Sequence, residues 1–177
     1  MIPDKQHKRS LPYSFFQRDV LTVAPALPGK TLARCYDDGT IRKFMITEVE
    51  AYNGMEDLAC HASKGRTART EVMFQNGGLV YVYLIYGMYW MLNIVTGFEN
   101  EPTAILIRGL EGISGPGRVG KALHLDKSFY GEDLTTSKRI WLEDSDRRPD
   151  YITTPRIGID YAGEPWVSKP WRFVLKE

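Results

Sequence analysis

Along residues 30–52, KTLARCYDDGTIRKFMITEVEAY, apolar and β-branched positions fall into two runs separated by DDG. That pattern predicts an antiparallel hairpin, because Asp-Gly pairs readily adopt the positive φ angles of tight hairpin turns. Residues 79–97, LVYVYLIYGMYWMLNIVTG, read as two further strands about Gly87, and TAILIRGL at 103–110 as a third. An interior glycine weakens a strand but suits a turn, so Tyr86-Gly87-Met88 is placed at a hairpin tip. GRVGKALHL at 117–125 predicts a short helix, LEDSDRRPD at 142–150 a charged surface loop, and TTPRIGIDYAG and KPWRFVLKE further short strands. Strands outnumber helices and follow one another at hairpin distances. The expected architecture is therefore α+β: one domain over residues 1–177, built on a mainly antiparallel sheet with short helices, with 1–13 as a flexible N-terminus.

Between the first hairpin and the aromatic run lies NGMEDLACHASKGRTARTEVMFQNGG, residues 53–78. Long polar connections inside compact domains are disproportionately functional.

Composition narrows the classes. A chain of 177 residues with 43% hydrophobic and 25% charged positions is ordinary for one globular domain. The net charge of +1 supplies no global basic field, so any nucleic-acid binding must use a local patch. Cys35 and Cys60 are too few for a disulfide scaffold, which makes a reducing, cytoplasmic setting the expectation. No apolar run is long enough to cross a membrane, and MIPDKQHKRS lacks the apolar core of a signal peptide.

In ITEVEAY, side-chain alternation puts Glu48, Glu50 and Tyr52 on one strand face. A carboxylate beside an aromatic ring suits a general base tuned by burial, and a solvated face fits the same pattern. His7, His61 and His124 are the only histidines, and no Cys or His pair has zinc-ligand spacing, so no metal site is expected. Lys64, Arg66 and Arg69 in HASKGRTART form an acid-free cluster that could hold phosphates or simply be solvated. GPGRVG at 115–120 matches G-x-G-x-x-G, but it follows antiparallel-looking strands and not the first strand of a βαβ unit. The dinucleotide reading is rejected; a single phosphate at that helix start stays open. The four tyrosines of YVYLIYGMYW serve either as core or as flat surfaces for another ring, with Tyr81 and Tyr83 sharing a face.

Taken together, EVEAYNGMEDLACHASKGRTARTEVMF, YVYLIYGMYWMLN, AILIRGLE, SGPGRVGKAL and PRIGIDYAGE resemble the alkyladenine (3-methyladenine) DNA glycosylase family, in order from about Phe15 to about Leu175. The resemblance implies a single domain with a curved antiparallel sheet. It also implies a monomeric, cofactor-free and metal-independent enzyme, without lyase activity, that acts on double-stranded DNA. Such an enzyme flips out alkylated or deaminated purines, of the 3-methyladenine, hypoxanthine and ethenoadenine type, for hydrolysis at C1′. On that basis Glu50 is the general base, while Arg108 and the backbone of Ile157 hold the water. Tyr52, His61 and Tyr83 sandwich the base, Asn93 rejects guanine, and Tyr86 fills the gap left in the duplex. Two segments depart from the family's pattern: TART lacks a proline usual in that loop, and MFQNGG stands where a proline-containing turn is common. The short N-terminus suggests a bacterial origin. A non-catalytic binding module for damaged or single-stranded nucleic acid is the competing reading, and Glu50 separates the two, since a binder needs no carboxylate there.

Overall fold

The computed structural model describes residues 10–176. Its frame is a nine-stranded, curled antiparallel sheet in which β3 (Val80–Ile85), β4 (Tyr89–Thr96), β5 (Thr103–Leu110), β2 (Ile41–Asn53), β1 (Thr31–Cys35) and β7 (Ile140–Glu143) lie side by side. The two-residue β6 (Ile113–Ser114) extends β5, and β9 (Arg172–Leu175) joins β2 to β8 (Tyr151–Thr154). This is the α+β single domain expected. Among the described residues, no helix is long and apolar enough to cross a membrane.

The 13-residue β2 organises the sheet. Its first half pairs with β1 and its second half with β5 and β9. Alternation sends Val49 and Ala51 into the main core with Val80, Val82, Leu92, Ile94, Ile105 and Ile107. The short helices α1 (Tyr13–Phe16), α2 (Val20–Val23) and α3 (Pro116–Ala122) cover that core through Phe16, Val20, Val23 and Val119. The opposite parity turns Glu50, Tyr52, Tyr81, Tyr83 and Asn93 to the other face of the sheet. Glu50 pairs with Leu106, Leu106 with Asn93, and Asn93 with Tyr81, so one row crosses four strands. At about 4.8 Å per strand, that row spans roughly 14 Å of floor.

The β2–β5 ladder slips twice, between Ile46 and Glu48 and again between Glu48 and Val49. The first shift leaves Thr47 extra on β2, and the second leaves Arg108 extra on β5. Such bulges re-aim side chains, and here they bring Glu48 and Arg108 together. Glycine suits position 109 at this crossing, because a Cβ would lie 2.8 Å from Thr47 Oγ1 and 3.1 Å from Glu48 Cβ.

Several expectations need correction. The 53–78 connection is only half polar: Cys60, Ala62, Val72, Met73 and Phe74 form a second small core with Tyr81, Val95 and Ala104. TTPRIGIDYAG is not a strand beyond Thr154; Pro155 to Ile159 is loop and Asp160–Ala162 a 3-10 turn, with Gly158 and Gly163 at positive φ. LEDSDRRPD starts inside β7, so Leu142 and Glu143 are buried. Of the N-terminus expected to be flexible, residues 1–9 lie outside the described residues, whereas Ser10 bridges to Glu143 and Leu11 is buried. GPGRVG, rejected above as a dinucleotide site, owes two of its glycines to packing: a Cβ on Gly120 would sit 1.9 Å from the Trp90 carbonyl oxygen, and one on Gly117 would press on Tyr89. The glycines let α3 lie directly on β4.

Candidate active site

The face opposite the main core carries a cavity of about 710 Å³. Its floor holds Tyr83 and Asn93, Tyr52 and Arg108 form one wall, and His61 comes from the 53–78 connection. Tyr86 and Ile157 stand at its mouth with Tyr161, whose hydroxyl donates to Ala59 O at 3.0 Å. Lys64 and Arg69 line it as well. Arg66 does not; it is bound bidentately by Glu71 at 2.7 and 2.8 Å, on the surface and away from the cavity.

Glu50 sits immediately behind the wall and is fully buried, which excludes the solvated-face reading. Its Oε1 accepts from the Tyr52 hydroxyl at 3.0 Å and lies 3.6 Å from Arg108 Nη1. Its Oε2 accepts the Ile157 amide at 2.6 Å. Burial raises the Glu50 pKa above its ordinary value, with the Arg108 charge and these two hydrogen bonds pulling the other way. A carboxylate whose proton affinity is raised, yet which is still held by donors, is suited to general-base work. Tyr52 is in turn pushed well above 10 by burial and by the Glu50 charge, so it stays a neutral donor.

Arg108 is aimed from the other side. Glu48 Oε1 accepts from Arg108 Nε at 3.0 Å and from Arg172 Nε at 2.6 Å. The three same-face residues of ITEVEAY are therefore linked, Glu48 to Glu50 through Arg108 and Glu50 to Tyr52 through the phenol hydroxyl.

His61 Nδ1 is 2.9 Å from the Tyr81 hydroxyl, and its ring stands edge-on to Tyr83 with centroids 4.6 Å apart. Burial, assisted by Arg69 and Lys64, lowers its pKa to about 4, so the imidazole is neutral at physiological pH. Burial raises Tyr83 to about 12. The cavity rings are thus uncharged, while Arg69 lies over Tyr83 at 5.1 Å. Asn93, nearly fully buried, donates Nδ2 to the carbonyls of Tyr81 (3.1 Å) and Met91 (3.4 Å). Tyr86 is 89% exposed and takes φ 52° beside Gly87 at 65°, consecutive positive angles that project its ring from the hairpin tip. A tyrosine in that region is strained, and such strain concentrates at functional positions.

Half-buried aromatic rings, one sequestered carboxylate and an exposed aromatic tip thus gather around this cavity. The methylpurine-DNA glycosylase family model matches residues 14–115 and 111–177. The chain belongs to that family. It is 48% identical over 170 positions to a Wolbachia pipientis (strain wPip) protein carrying the provisional name 3-methyladenine DNA glycosylase, covering 92% of this chain and 88% of the relative. Similarly named proteins from Legionella pneumophila (strain Corby) and Methanocella arvoryzae are 44% and 43% identical, the first covering 96% of both chains and the second 94% and 92%.

Other site residues carry no local signal in the sequence. Asp57 and Arg156 form a fully buried ion pair at 2.6 Å between segments 99 residues apart. No local spacing marks such a pair. Alternation groups Tyr81 with Tyr83, but the contact of Tyr81 to His61 spans 20 residues and arises only when the connection folds over the sheet. Among the described residues, no group of His, Cys, Asp and Glu could hold a metal ion.

Proposed function

We propose that this methylpurine-DNA glycosylase family protein excises damaged purines from double-stranded DNA by hydrolysis at C1′. The observation that carries this reading is Glu50: a fully buried carboxylate of raised pKa set directly behind an aromatic cavity. A pure binding pocket would gain nothing from a group that is costly to bury.

In this mechanism the target nucleotide leaves the duplex and its base enters among Tyr52, His61 and Tyr83. Extrusion costs a few kcal/mol of stacking and pairing. Base–aromatic stacking of about 1–3 kcal/mol offsets it, together with Tyr86 wedged into the vacated position. Lys64 and Arg69 contact the flanking phosphates; Arg66, committed to Glu71, contributes less. Parting of the wall formed by Tyr52, Arg108 and Ile157 admits a water to Glu50. Glu50 takes the water's proton as its oxygen bonds to C1′, and the C1′–N pair departs with the base. An alkylated, cationic base becomes neutral on leaving, so an oriented water and one carboxylate suffice; a neutral lesion such as hypoxanthine takes up a proton from solvent water as it leaves. Asn93, anchored through Nδ2, cannot swing aside and crowds the 2-amino group of guanine. The reaction uses no metal and leaves an intact abasic site, and one protomer contains the whole machinery.

The test is excision on short duplexes carrying one hypoxanthine or ethenoadenine, and base release from methylated DNA, in excess EDTA. Release by wild type, absent in Glu50→Gln, with strand cleavage only after alkali, is the expected result. Lesion-selective binding with no release by either protein would replace this reading by a binding module.

A further inference from the structure

The strongest feature outside the residues already given roles is the ion pair of Arg156 and Asp57. Both side chains have no exposed surface. Arg156 Nη1 donates to Asp57 Oδ2 at 2.6 Å and to the Ala51 carbonyl at 3.0 Å, and Nη2 donates to Asp57 Oδ1 at 3.0 Å. Asp57 also accepts the amides of Asn53 (2.9 Å) and Ala59 (3.1 Å), and its own carbonyl accepts the Cys60 amide at 2.8 Å. The guanidinium carbon lies over the Tyr52 ring, 4.8 Å from its centroid, and over the Trp171 ring at 5.0 Å.

We infer that Arg156, locked to Asp57, is a positioning residue that sets the Ile157 amide against Glu50 and backs the Tyr52 ring from behind the cavity. Four segments meet at this one guanidinium. Ala51 lies between Glu50 and Tyr52 on β2, the 53–60 turn leads directly into His61, Ile157 is the next residue in the chain, and Trp171 flanks β9. The acceptors on Asp57 and Ala51 dictate where the guanidinium sits, and the peptide that follows it carries the donor to Glu50. The guanidinium carbon also lies over one cavity ring, so base-binding and water-activating groups share one support. Complete pairing of the carboxylate offsets its burial penalty, whereas Arg156 Nε is left buried without a hydrogen-bond partner, so the pair carries a residual cost. A pair retained only for stability would serve as well if replaced by packed apolar groups, and it would have no reason to sit one residue from the catalytic carboxylate's donor.

Lysine cannot imitate this. It keeps the charge but lacks the planar fork that spans two acceptors and stacks on a ring. The inference rests on the glycosylase reading for its kinetic readout, so a second readout is independent of activity. Arg156→Lys and, as a shape-preserving alternative, Asp57→Asn would be compared with wild type after a thermal melt shows that they fold. The Glu50 carboxyl would be titrated by carbon NMR, and single-turnover excision and duplex binding measured across pH. Loss of the aimed amide removes a hydrogen bond to ionised Glu50. Its titration, and the acid limb of excision, therefore move to higher pH in Arg156→Lys although the positive charge is kept. Excision falls about tenfold to a hundredfold, the range for a small misplacement of reacting groups, while binding of undamaged duplex, which places no base against Tyr52, stays within about threefold.

A folded Arg156→Lys with a wild-type Glu50 titration and excision rate overturns the inference, as does failure of both variants to fold, which would make the pair purely architectural. A shifted Glu50 titration in a protein whose wild type excises nothing would leave the positioning role standing and remove the glycosylase reading instead.

Discussion

The Ile157 amide nitrogen lies 2.6 Å from Glu50 Oε2, joining residues 107 positions apart. The bond ties the loop after β8 to the second half of β2 and gives the buried carboxylate one of its two hydrogen bonds. Glu50→Gln removes a buried charge whose pKa is raised mainly by desolvation. Excision should drop by orders of magnitude with lesion binding intact, while the melting temperature holds or rises, as is common when a catalytic group is strained for function. Full activity in this variant would sink the mechanism.

The base must be ionised, so excision should be lost as pH falls through a midpoint above the ordinary glutamate value. Because Glu50 is raised in the folded state, its effect on stability has the opposite sense: stability declines as pH rises from about 4.5 toward that midpoint. A pH–rate profile with an acid limb at or below 4.5 would contradict the burial argument.

Glu48 holds Arg108 Nε at 3.0 Å and does not line the aromatic cavity. Glu48→Gln should leave lesion binding unchanged and slow excision by about ten- to a hundredfold through misdirection of Arg108. Equal losses in binding and turnover would point to a general structural defect.

His61 should titrate near 4 and not 6.5. Between those values an unfolded chain takes up a proton that the folded one refuses, so stability falls as pH drops through the window. Imidazole NMR gives the midpoint, and comparing denaturant midpoints at pH 7 and 5 for wild type and His61→Gln should show a smaller fall in the variant.

Tyr86→Ala should change stability by no more than about 0.5 kcal/mol, since the side chain is almost wholly exposed. Excision from duplex should fall sharply, and from single-stranded substrate hardly at all. An equal loss on both would remove the wedge role.

Asn93→Ala should widen the substrate range toward guanine-type bases, read as guanine or 7-methylguanine release relative to hypoxanthine. An unchanged range would show that the anchored amide does not act as the gate.

Much of this protein is legible in one dimension because its decisive elements are local. The DDG and Tyr-Gly turns set two hairpins, and period-two alternation alone puts Glu50 with Tyr52 and Tyr81 with Tyr83. Five ordered motifs carry the family. Whether Glu50 faces solvent or the interior is not decided by alternation, which assigns a face without saying what covers it. That requires the 53–78 connection to fold back with its own small core, and the 155–159 loop to close over β2. RIGI reads as a strand because its apolar residues alternate, yet Arg156 is committed to Asp57 and the segment runs as loop. The Arg156–Asp57 pair, the Glu48–Arg108–Arg172 network and the committed Arg66 all join residues by charge across folded distance. Local sequence records propensity and period; ion pairing and desolvation depend on which distant segments meet, and only the tertiary structure settles that.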